Sequence, residues 1–335
     1  MSSPYSSSLL LLLALGAAAP AAHAGSPHVQ LTPFADHVRI EIDGKLFTDY
    51  IFKGAPKPYF YPILALDGTR LTRDFPMADT PGEERDHHHH RSLWFAHGGV
   101  NGHDFWTEEN TAGTIVHEAL LETKSGTTGR LRARNRWVAR DGTVVCTDET
   151  TVRVTPVAHG RLLDYKVTLQ APPDTVVTLG DTKEGTMALR LASWMTIPHP
   201  ARRDGSVSGT IGAGHAVNSV GDRDTAAWGK RAAWVDYSAP HGGKVYGVAF
   251  FDHPKNPRHP TWWHVRDYGL FAANPFGRHN FENLTDQPKA GDFVLPAGGQ
   301  VTWRYRLYFH DGELTPGDAA KRYSDYAHAA ESTAP

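Results

Sequence analysis

Three segments of the chain gather the side chains that could do chemistry. The first is Asp86-His87-His88-His89-His90-Arg91, followed by Trp94, His97, Asn101, His103, Asp104 and Trp106. In an extended conformation His87 and His89 project to one side and His88 and His90 to the other. Two histidines at i and i+2 on one strand face can chelate a divalent metal, with a neighbouring Asp orienting a ring by accepting its second N–H. The same imidazoles, neutral beside a sugar hydroxyl, are general bases near their ideal pKa. A solvated polar loop with fortuitous metal affinity is the plainer alternative.

The second segment is Gly180-Asp181-Thr182-Lys183-Glu184-Gly185, which ends the apolar run Val176 to Leu179. Charged residues at the end of a buried strand can face a pocket, where Lys183 and Glu184 would do acid–base work or bind hydroxyls. A surface turn with a weak ion pair is the alternative. The third segment runs from Asp252 through Trp262-Trp263-His264-Val265-Arg266-Asp267 to Gly277. His264 and Arg266 are two apart and can share a strand face. There Arg would stabilise oxyanion charge while His moves a proton. The two tryptophans offer a stacking platform, or one of them is core.

Elements must hold these groups in place, and the chain reads as mostly β. Val38 to Ile42 alternates and meets Asp43-Gly44, a hairpin turn. Leu131, Ala133, Asn135 and Trp137 would share one strand face and Arg132, Arg134 and Arg136 the other. Val144 to Val154, Leu163 to Leu169 and Trp303 to Phe309 continue the pattern. The expectation is an all-β chain, a large antiparallel β-sandwich. It closes with one short helix, capped by Thr315 with Pro316 at its first position. Segments 70–115 and 252–290 read as functional loops on that scaffold. Cys146, the one cysteine, sits in a strand pattern and reads as a small core residue.

Residues 1–24, with the Leu9 to Leu13 run and Ala22-His23-Ala24, read as a secretory signal peptide. Residues 25–335 are then one β-sandwich domain, secreted or periplasmic. No Lys or Arg precedes Arg39, so the n-region would be positive only through its α-amino group. The chain has 335 residues, with 34 Lys+Arg against 36 Asp+Glu, so a globally basic nucleic-acid footprint is absent. It lacks a run of about 20 apolar residues after residue 24, which excludes a polytopic membrane protein and implies no transmembrane partner. A nucleophile elbow, a Walker loop, a dinucleotide fingerprint and a zincin helix are all missing, so no nucleotide cofactor is implied.

Together the three segments resemble a secreted bacterial family known as PmoA-like, or methane oxygenase PmoA family, proteins. The matching stretches are DHHHHRSLWFAHGGVNGHDFW (86–106), GDTKEGTMALRLA (180–192) and FFDHPKNPRHPTWWHVRDYGLFAANPFG (250–277). His88 stands where that pattern has proline. In addition, Pro58 to Ile63 ahead of a His-rich segment is similar to the Pro-x-x-x-Pro then His-Gly order of aldose epimerases. That second likeness implies a galactose-mutarotase-like supersandwich with a concave face lined by His, Arg, Glu and Trp.

The leading expectation is an exported carbohydrate-active enzyme, an epimerase, lyase or hydrolase with a sugar or glycoside as ligand. His90, His97, Glu184 and His264 would be its acid–base groups. Arg91, Trp94, Asn101, His103, Trp106, Lys183, Trp263, Arg266 and Asp267 would bind substrate. The second expectation is a metalloprotein whose divalent metal, copper or zinc, is held by His87 and His89, with oxygenase chemistry if the PmoA-like label applies. The third is a non-catalytic glycan-binding domain.

Overall fold

The computed structural model describes residues 27–201 and 207–329. The segment read as a signal peptide lies outside them. Two eight-stranded antiparallel sheets pack face to face. The first runs in the order Val29–Pro33, His37–Ile42, Lys45–Ile51, Tyr59–Tyr61, Leu93–His97, Gly185–Arg190, Leu270–Asn274, Trp262–Val265. The second runs His215–Asn218, Trp234–His241, Lys244–Asp252, Gln300–Asp311, Gly160–Gln170, Val144–Val157, Gly129–Val138, Thr114–Lys124. This is the expected all-β antiparallel sandwich, and its principal helix is the C-terminal Pro316–His328, capped by the Thr315 side chain.

Alternation does in the second sheet what it predicts. Leu131, Ala133 and Trp137 are buried while the intervening arginines reach outward. The inward side chains meet those of the first sheet: Phe95 lies 6.1 Å from both Trp137 and Tyr165, and Phe271 lies 5.5 Å from Phe250, ring centre to ring centre. Asp43 and Gly44 both take positive φ in their hairpin turn, as a tight two-residue connection requires. Cys146 is buried in the core.

Segments 70–115 and 252–290 are not loops throughout. Their middles, Leu93–His97, Trp262–Val265 and Leu270–Asn274, are strands of the first sheet, and every residue in them is buried. Both faces of these strands are covered: one by the second sheet, the other by the remainder of the same segments. The terminal helix packs Ala319 and Tyr326 against Trp234, Phe251 and Tyr308, on the outer face of the second sheet. Among the described residues no helix is long and apolar enough to cross a membrane.

Candidate active site

Register decides which side chains share the outer face of the first sheet. Ala188 pairs with Trp94 on one side and Ala272 on the other, and Ala272 pairs with His264. Directly opposed residues in an antiparallel pair point the same way. Trp94, Ala188, Ala272 and His264 therefore form one outward row, with two alanines between an indole and an imidazole. Phe95, His97 and Trp263 have the opposite parity and face the core.

The four-histidine run is not extended. His90 N–H donates to the His87 carbonyl at 2.9 Å, closing a turn in which His87 takes φ 45°. The turn stacks His87 on His90, 4.7 Å apart and 7° from parallel. The expected pairing of His87 with His89 on one side is thus replaced by a His87–His90 stack. Tyr268 stacks on the other face of His87 at 5.2 Å, and Trp94 continues the series beyond His90 at 5.3 Å.

Asp86 fixes this loop to the sheet. It accepts from Arg73 and from Arg190 at 2.6 Å each, and from His87 Nδ1 at 2.6 Å. Burial alone would raise the Asp86 carboxyl. The His87 hydrogen bond and the Arg190 and Arg73 charges outweigh it and hold the group ionised, well below the usual carboxylate range. Arg73 also donates to the Glu84 and His87 carbonyls, which pins the loop backbone. With Nδ1–H given to Asp86 and both ring faces stacked, the exposed edge of His87 is the one carrying Nε2. That side chain is 34% exposed.

His264 donates from Nδ1 to the Lys183 carbonyl at 3.0 Å, so the second and third segments meet at this ring. Its Nε2 has no hydrogen-bond partner among the described residues. Burial, with the charges of Arg266 and Lys183 adding, pushes its pKa down to about 3, and the ring is neutral at pH 7. The Arg266 guanidinium lies 5.3 Å over the Tyr268 ring and pairs with no carboxylate among the described residues. Lys183 and Glu184 pair with each other at the partly exposed margin.

A cluster of orphaned ring nitrogens lies behind the stack. His89 Nδ1, His90 Nε2, Trp94 Nε1 and Trp106 Nε1 are buried without a partner. Their rings are 4.6 to 5.9 Å apart. Buried polar atoms normally find a partner in protein, water or ligand, so four together mark a place for one. Burial pushes His89 down to about 3 and His90 well below its usual range, so both are neutral.

The remaining expected residues fall into other roles. His97 faces the core, where Nε2 meets the Gly180 carbonyl at 2.8 Å and burial lowers its pKa to about 4. Trp263 is a core residue whose indole N–H donates to the Ala232 carbonyl. Asn101 clamps a turn, donating to the Val176 carbonyl and accepting from Thr178 N–H. Arg91 forms a two-bond pair with Glu108 at 2.7 Å, beside buried Lys57. His103 is partly exposed in the turn that follows Asn101, and the Asp267 carboxylate accepts from Tyr268 N–H at 2.9 Å. Of these six side chains only Asp267 adjoins the Tyr268–His87 stack. Among the described residues no three His, Cys, Asp or Glu side chains converge as a metal-ligating group.

Three residues of the site escaped the sequence reading: Arg73, Arg190 and Tyr268. Arg190 had a visible signal, being the lone charge in Met187 to Ala192. Buried charges are rare unless paired, and this one is paired with Asp86.

A family model matches residues 37–324. The chain belongs to the family of unknown function DUF6807. The DUF6807 match spans every site residue from Arg73 to Tyr268. It carries no methane-oxygenase designation, so the PmoA-like resemblance and its oxygenase reading gain nothing from it. No curated protein matches the sequence. Among solved structures, a galactose mutarotase-like protein from Lactobacillus casei ATCC 334 aligns with a TM-score of 0.39 at 9% identity, over 84% of this chain and 100% of that one. The alpha-galactosidase from Lactobacillus brevis aligns with a TM-score of 0.38 at 10% identity, over 85% of this chain. This chain spans only 39% of that enzyme's length. Likenesses this loose carry no functional argument, and the fold assignment rests on the sheets themselves.

Proposed function

We propose that this DUF6807 protein is an exported carbohydrate-active enzyme that moves protons on a sugar or glycoside at the outer face of the first sheet. The observation that carries the reading is the Asp86–His87 pair, with a carboxylate on Nδ1 and an exposed edge bearing Nε2. A carboxylate on Nδ1 fixes the tautomer whose Nε2 lone pair is free to accept a proton. His87 is then the general base, in place of His90 and His97. Arg266 receives oxyanion or carboxylate charge. Neutral His264 is the second group on the same face.

The test is an NMR screen of neutral sugars, glycosides and uronides for conversion by the mature protein, followed by variants. His87→Gln is expected to lower turnover by about 10²- to 10⁴-fold, the usual contribution of a general base, with binding retained. Arg266→Gln is expected to weaken turnover of uronides more than of neutral sugars. A converted substrate whose rate is the same in His87→Gln would overturn the assignment. Binding without conversion of any sugar would leave a glycan-binding domain.

A further inference from the structure

The far side of the sandwich carries a second feature, independent of the histidine-rich face. A cavity of about 520 Å³ opens on the outer face of the second sheet, with Tyr326 and Ala329 of the terminal helix region at its edge. Its floor is built by strands Gly129–Val138, Val144–Val157, Gly160–Gln170 and Gln300–Asp311. Register places two rows of side chains across them. One row reads Arg306, Asp164, Arg153, Arg130; the next reads Arg304, Lys166, Thr151, Arg132.

Within these rows like charges stand directly opposite: Arg153 against Arg130, and Lys166 against Arg304. Such pairs are destabilising unless something anionic lies between them. Among the described residues the nearby carboxylates are each held by an arginine of these rows. Asp164 takes a two-bond pair with Arg306 at 2.5 and 2.8 Å, Glu149 pairs with Arg132 at 2.5 Å, and Glu122 pairs with Arg130 at 2.8 Å. Arg153 and Lys166 have no carboxylate partner among the described residues. The asymmetry is local, because the chain as a whole carries a formal charge of −2.

We infer that this cavity is a binding site for an acidic oligosaccharide, with Arg153 and Lys166 receiving its carboxylates. Two features favour a glycan over a nucleic acid. Single-stranded nucleic acids need exposed aromatic faces to stack their bases. Here Tyr305 and Tyr326 are buried, and the Arg306 guanidinium covers the Tyr326 ring at 4.6 Å. In addition, Glu149 and Asp164 stand among the cations on the cavity floor. Carboxylates accept hydrogen bonds from the hydroxyls that every ring of a glycan carries and a phosphodiester backbone lacks. The site thus offers cations and acceptors together, matching a chain of sugar acids.

The experiment is calorimetric titration of the full mature chain with an oligogalacturonate, a neutral malto-oligosaccharide and oligo-dT, each at low and high salt. The expected result is binding of the oligogalacturonate alone, weakened by salt. Arg153→Gln with Lys166→Gln is expected to reduce that affinity about tenfold or more, the scale of lost charge-assisted hydrogen bonds. The double variant removes like-charge contacts, so its melting temperature should hold or rise, which separates lost binding from lost folding. Arg266→Gln, which removes the cation proposed to receive carboxylates at the other face, should leave this binding untouched, which keeps the result distinct from the proposed reaction there. No oligogalacturonate binding at low salt, equal binding by the double variant, or tighter binding of oligo-dT would each overturn the inference.

Discussion

Between pH 7 and pH 5 the folded protein is expected to lose roughly 4 kcal/mol of stability through two buried histidines. His97 and His264 are both fully buried, with folded-state pKa values lowered to about 4 and about 3. Their unfolded values lie near 6.5. Above 6.5 both states are neutral at these rings and the full contribution is present. As pH falls below 6.5 the unfolded chain takes up protons that the fold refuses, so stability declines. It goes on declining until the folded values are reached. At pH 5 each ring has lost about 1.5 pH units of this linkage, about 2 kcal/mol. His89 and His90 act in the same direction. Asp148 opposes them. Its buried carboxyl is raised to about 6, so its proton is bound more tightly in the fold, and it returns only about 1 kcal/mol over the same interval. Urea unfolding at pH 5, 6 and 7 measures the slope. His97→Gln should flatten it by about 2 kcal/mol between pH 7 and pH 5, whatever it does to stability at pH 7. Parallel curves for the two proteins would show that His97 does not contribute.

Arg190→Met is expected to destabilise the fold by about 3–5 kcal/mol, the usual cost of removing one member of a buried ion pair. Its side chain is 1% exposed, lies 3.7 Å from the Glu84 carboxylate, and holds three further groups at once. It donates to Asp86 at 2.6 Å, donates to His90 Nδ1 at 3.2 Å, and lies 4.7 Å over the Tyr268 ring. Methionine fills the volume and leaves Asp86 with one cation fewer in a dry place. For a chain of this length the melting temperature should fall by about 5–8 °C. Arg190→Lys keeps the charge and loses the planar fork, so it should fall between the two. If methionine costs less than about 1 kcal/mol, the cluster does not anchor the loop. The same substitution should also disorder the Asp86–His87 pair, so turnover should fall further than the stability loss explains.

Much of the second sheet was legible because its strands have one wet face. Leu131 to Trp137 and Trp303 to Phe309 announce themselves by alternation. The centre of the first sheet was not, because Leu93–His97 and Gly185–Arg190 are buried on both faces and show no period of two. A run buried on both sides reads like a polar-flanked loop when its neighbours are rich in His, Trp and Pro. The three chemically rich segments were legible as segments, and the sheet does bring them to one face. Which histidine points where was not, since parity along Leu93–His97 sends His97 inward and Trp94 outward. The turn at His87–His90 needed the Arg73 and Arg190 anchors, which lie far away in sequence. Tyr268 matters only through that turn, so nothing local marked it, whereas Arg190 stood out as the lone charge in an apolar run.

The order of strands in the first sheet has a consequence for how the molecule is made. The proposed site draws on residues from 73 to 268. It rests on strands whose inner face is closed by Phe250 and Tyr305, 5.7 Å apart. Tyr305 belongs to Gln300–Asp311, the last strand of the chain, which is inserted between Lys244–Asp252 and Gly160–Gln170. A nascent chain emerged only as far as Asn274 would hold every site residue and still lack the wall behind them. Long-range pairings of this kind close slowly, because loop entropy must be overcome before contacts form. A fragment ending before that strand is therefore expected to lack the assembled site.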